Sequence, residues 1–164
     1  MRRPAVLAAI LVLWGAAAFA ETFRADSLSV VAGGIQYRFR VELAETPAQR
    51  SQGLMHRKSM APDAGMLFDF GRTQPVGMWM KDTFIPLDML FIREDGVIAW
   101  IAEDTQPHSL EIVAPPAPVR AVLELNAGTV RRLGIAPGDR VEHWTFRPRP
   151  VVIPDTIQAP ERRP

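Results

Sequence analysis

Lys81, Asp82 and Thr83, followed closely by Asp88, place an ammonium, two carboxylates and a hydroxyl in one short stretch of an otherwise apolar region. Asp88 stands between Leu87 and Met89 and, at the period of a strand, faces opposite to both. If that face is buried, an unpaired carboxylate there is costly. Its expected partners are Lys81 or the backbone amides of the 83–86 turn. Two uses fit such a group. It is either a polar cluster that orients a ligand or moves a proton, or a latch in which Asp82 and Thr83 satisfy a turn and Asp88 caps neighbouring backbone. Glu124, in the apolar stretch 122–125, and His108, in the proline-rich stretch 103–118, complete the set. The candidate ligand-binding residues are therefore Lys81, Asp82, Thr83, Asp88, His108 and Glu124. Their convergence on a concave pocket would favour binding or catalysis, and their burial in pairs would favour the latch.

Other chemistries are poorly served. A hydroxyl nucleophile beside His108 would have to be Ser109 or Thr83, and no Gly-x-Ser-x-Gly elbow is present. Met55, His56 and Met60 form the one set suited to a soft metal, cuprous ion. Met78 and Met80, two apart, read as one packed stripe, with Trp79 between them expected to anchor the core. The three histidines have no metal-ligand spacing, and there is no cysteine, phosphate-cradling glycine loop or calcium loop. No cofactor is expected. No catalytic residue is assigned, and an enzyme using an Asp/Lys or Asp/His set in the same region stays open as the alternative.

The elements that must position these groups belong to a chain of 164 residues with a net charge of +1. That length favours one domain. A near-neutral balance, with no basic stripe interleaved with aromatics, argues against a nucleic-acid partner. Met1-Arg2-Arg3, an apolar run over 5–14 and Ala18-Phe19-Ala20 have the form of a cleaved secretory signal. Cleavage after Ala20 would leave 17 basic and 18 acidic residues. The expectation is export to the periplasm or beyond, with no stable membrane insertion afterwards, where a small molecule or an envelope protein would be the partner. Residues 147–164 hold five prolines and read as a disordered tail, leaving 21–146 as a single domain.

Strand patterns dominate that domain. Ile35, Tyr37, Phe39, Val41 and Leu43 alternate with polar residues, and Gly33-Gly34 before them suits a hairpin turn. Further strands are expected over 27–32, 65–70, 76–80, 87–92, 97–102, 120–125 and 140–146. Thr46-Pro47-Ala48-Gln49 has the form of a capping box opening a helix to about Gln52, and a second short helix is expected over 129–133. About eight strands, two short helices and no βαβ spacing point to a mainly antiparallel sandwich or partly closed, jelly-roll-like barrel.

Three blocks then carry a resemblance. They are Gly53-Leu54-Met55 with Gly65-Met66-Leu67-Phe68; Trp79-Met80-Lys81-Asp82-Thr83 with Ile85-Pro86-Leu87-Asp88-Met89; and Val122-Leu123-Glu124-Leu125 with Gly134-Ile135 and Gly138-Asp139. In this order they resemble the prokaryotic domain-of-unknown-function family 192. The resemblance implies a small, mostly β, often exported domain. It implies no activity and no catalytic residues.

Overall fold

The computed structural model describes residues 21–147. Seven strands form one sheet: β1 (Arg24–Ala32), β2 (Ile35–Ala44), β3 (Ala64–Gln74), β4 (Leu87–Ile92), β5 (Ile98–Thr105), β6 (Val119–Asn126) and β7 (Arg140–Glu142). Two short helices, α1 (Pro47–Gln52) and α2 (Thr129–Leu133), lie between strands. The sheet order is β5-β4-β6-β3-β2-β1-β7. Its two ends approach each other. Val97 bridges Arg140, and Ile98 and Val141 donate amide hydrogen bonds of 2.8 Å to Asp139 and Gly96. The result is a curled half-barrel, mainly β as the sequence pattern implies.

The local signals act as their chemistry dictates. The alternation of β2 puts Phe39, Val41 and Leu43 inside. Thr46 caps α1 by accepting from the Gln49 amide at 3.1 Å, while the Gln49 side chain accepts from the Thr46 amide at 3.0 Å. Three expectations are corrected. Residues 76–80 are not a strand, because Pro75 and Gly77 interrupt them and their only ladder contact is an isolated bridge from Met78 to Val113. The last strand ends at Glu142, where the His143 side chain caps a 3-10 turn over Trp144–Phe146. Finally, β2 and β3 are parallel, so β2-α1-β3 is a crossover unit despite a two-turn helix; every other pair is antiparallel.

Two apolar layers cover the sheet. The inner one fills the half-barrel with Leu28, Val30, Phe39, Leu67, Leu90 and Leu123, closed by Val130 of α2. The outer one lies on β3, β4 and β6: Met66, Phe68, Met89, Phe91 and Val122 are covered by Leu54, Val76, Met78 and Met80 from irregular chain. β4 lies between the two layers, so all six of its residues are buried, Asp88 among them. The disordered tail expected over 147–164, apart from Arg147, and the expected signal over 1–20 lie outside the described residues.

Candidate functional site

Alternation along β6 decides where its acid goes. Leu123 and Leu125 face the barrel interior, so Glu124 faces the outer layer. In register it is flanked by Met66 of β3 and Met89 of β4, both with no exposed surface. Glu124 itself is 3% exposed, and its carboxyl has no protein hydrogen-bond partner among the described residues. Burial pushes its pKa up to about 8, so the group is mostly a neutral carboxylic acid at pH 7.

The roof over this acid is made of loops. Glu124, Lys81, Thr83, Trp79, Met55 and Gly53 border one small cavity of about 20 Å³. Beside it runs a shallower groove of about 470 Å³, and Arg50, Phe68, Met78 and Trp79 border both. Gly53 is required where it stands. Its φ is +47°, and a Cβ would come within 3.0 Å of the Phe68 ring at the cavity wall.

The turn that carries Lys81 is tightly held. The Thr83 amide donates to the Met80 carbonyl at 3.1 Å, and the Thr83 hydroxyl to the Lys81 carbonyl at 3.2 Å. The His56 amide donates to the Asp82 carbonyl at 2.8 Å, and the His108 amide to the Thr83 carbonyl at 3.2 Å. His56, Asp82 and His108 all have positive φ, between 52° and 64°. Each such residue costs of order 1–3 kcal/mol and persists only where its surroundings over-determine it. Here they meet around Phe84, whose ring lies 5.9 Å from that of His56 and 5.2 Å from that of His108.

Of the six candidates, the structure brings Lys81, Thr83 and Glu124 to one cavity. Asp82 and His108 instead tie down the turn. Asp88 is elsewhere. It faces the barrel interior, fully buried, and accepts from the amides of Asp104 (3.0 Å) and Val130 (2.8 Å). Its expected partners, Lys81 and the 83–86 amides, are therefore replaced by a bulge on β5 and the first turn of α2, and neither an Asp/Lys nor an Asp/His pair forms around it. The two methionines of the copper set border different cavities. Met55 borders the Glu124 cavity, whereas Met60 borders a different groove with Arg40, Glu42 and Arg57. Trp79 corrects a further expectation. It does not anchor the core but is 44% exposed, because 76–80 lies on top of the sheet and the side away from Met78 and Met80 is solvent. The Lys81 ammonium sits 5.5 Å from the centre of its ring.

Sequence reasoning missed Trp79, Gly53 and Arg50 as lining groups. The one available signal was parity: Trp79 must face away from the Met78–Met80 stripe.

A larger cavity, about 640 Å³, lies near β1 and β7, and several of its charged groups are already engaged. Arg140 donates to the Asp95 carbonyl, Asp95 pairs with Arg93, and Glu142 accepts from Gln36. His143, also there, keeps Nδ1 at 2.9 Å from the Thr145 hydroxyl, and burial pushes its imidazole pKa down.

A family model for DUF192, described as an uncharacterised ACR, matches residues 29–143. The chain belongs to the DUF192 family. Two solved structures are similar to it. One is a Sinorhizobium meliloti 1021 protein named as a proposed transcription regulator, 54% identical, with a TM-score of 0.73 over 75% of this chain and 96% of that one. The other is a Novosphingobium aromaticivorans DSM 12444 protein of unknown function, 36% identical, with a TM-score of 0.71 over 73% of this chain and 85% of that one. No curated protein matches the chain. These likenesses establish the DUF192 fold and carry no activity with them.

Proposed function

We propose that this DUF192 protein is a binding module for a small organic molecule, taken over Glu124 with Lys81, Thr83 and Trp79 at the rim. One observation carries the reading: the carboxyl of a buried residue, with no protein hydrogen-bond partner among the described residues, opens onto a cavity instead of being sealed in the core. A polar group placed at a cavity wall with no protein partner keeps its hydrogen-bonding capacity for whatever fills the cavity. A ligand oxygen can take that bond in place of water. The surroundings support the same reading, since the roof turn is held in place before any ligand arrives and Trp79 offers a flat apolar face beside it.

The regulator label of the Sinorhizobium protein is not extended to this chain. The two described helices have six and five residues, and neither is long enough to lie along a major groove as recognition helices do. Export is part of the proposal. Its support is the charged, apolar and small-residue pattern at the N-terminus. No helix among the described residues is long and apolar enough to cross a membrane.

Native mass spectrometry of protein purified from its own envelope fraction tests the reading. A retained small molecule is expected on the wild type and not on Glu124→Ala. Equal retention by both, or none by either together with no ligand-induced amide shifts in 79–83, would refute it.

A further inference from the structure

We propose that the ligand is an organic carboxylate with an apolar body, its anionic end between Glu124 and Lys81; this rests on the cavity being the binding site. Charge is the first argument. The ionisable groups bordering the cavity are Arg50, Lys81 and Glu124. Neither cation pairs with a carboxylate among the described residues. Arg50 gives its N–H groups to the carbonyls of Glu45 (2.6 Å) and Asp69 (2.9 Å), which fixes the side chain without cancelling its charge. Lys81 lies over Trp79. The acid beside them is mostly neutral at pH 7 because burial, with Met66 and Met89 on either side, pushes its pKa up to about 8. Two uncompensated positive charges beside a neutral acid attract an anion and repel an amine.

Shape is the second argument. A cavity of about 20 Å³ holds little more than one oxygen. The adjoining groove, about 470 Å³ and bordered by Phe68, Phe70, Pro75, Val76 and Trp79, is in the range of small-molecule sites and suits an apolar body. Hydrogen-bond polarity is the third. A protonated carboxyl donates its O–H to a carboxylate oxygen in a charge-assisted bond, while the ammonium meets the second oxygen. A neutral alcohol could use only the first of these.

Binding of hexanoate, hexanol and hexylamine, followed by calorimetry and by backbone amide shifts, tests this. At pH 6.5 hexanoate should bind at least about tenfold more tightly than either analogue, the scale of one lost charge-assisted contact. Lys81→Met, a change at an exposed position, should weaken hexanoate binding at least about tenfold and hexanol binding far less. Hexanoate affinity should fall as the pH passes 8 and Glu124 ionises. If hexanol or hexylamine binds as tightly as hexanoate and shifts the same roof amides, the ligand class is wrong and the site stands. If no probe shifts the amides of 79–83 or 123–125, both readings fall together.

Discussion

Replacing Glu124 by glutamine keeps its shape and removes its proton, which isolates the energetic consequence of burying it. In the folded chain this carboxyl titrates at about 8 instead of 4.5. Between those values the folded state holds a proton that the unfolded state has released. Stability therefore falls as the pH rises through this window. The full stabilisation is present below about pH 4.5, and the loss levels off once the folded group also ionises, above about pH 8. At 1.36 kcal/mol per unit, the wild type should lose about 3–4 kcal/mol from this group between pH 5 and 8. Glu124→Gln should lose none of it. Urea denaturation of both proteins at pH 5, 6, 7 and 8 reads the difference directly, because every other titrating group is common to the two. The amide carries its own unsatisfied polar atoms and will offset one curve from the other, so the diagnostic quantity is the slope of the difference. Parallel curves would mean that Glu124 ionises freely in the folded protein, and both the buried-acid description and the ligand argument built on it would be refuted.

Asp88→Ala strands the amides of Asp104 and Val130 and should cost about 2–4 kcal/mol. Asp88→Asn keeps one acceptor and should cost less, and wild-type melting of the alanine variant would exclude the latch. Gly53→Ala forces a methyl against Phe68 at positive φ and should destabilise by about 1–3 kcal/mol in denaturant titrations. Trp79→Ala should change stability by less than about 1 kcal/mol, given its exposure, yet weaken hexanoate binding; a large loss of stability would return Trp79 to the core.

Much of the fold is written in local chemistry. The alternation of β2, the Thr46–Gln49 capping box and the apolar runs of β4 and β6 each specify their element within a few residues. Lys81, Thr83 and Glu124 were recognisable because polar groups interrupt apolar surroundings. What the sequence conceals is what lies above what. Residues 76–80 have the alternation of a strand, but they are a lid on another strand layer, so the face opposite Met78 and Met80 meets water and Trp79 is exposed. Asp88 finds its partners 16 and 42 residues away, on a bulge and a helix end that no local pattern connects to it. The parallel pairing of β2 and β3 likewise depends on the path of the crossover, which α1 alone does not reveal.

The loops above Glu124 are joined mainly to one another, through the Met78–Val113 bridge and the bonds from His56 to Asp82 and from His108 to Thr83. The sheet beneath has its own continuous ladder. Such an arrangement can open as a local unit while the barrel stays folded. Opening of the loops would widen the route from the groove to Glu124, so hydrogen exchange of the roof amides should report it separately from unfolding of the barrel. The same event would admit the body of a ligand, making the exchange of the roof amides a direct clock for entry to the site.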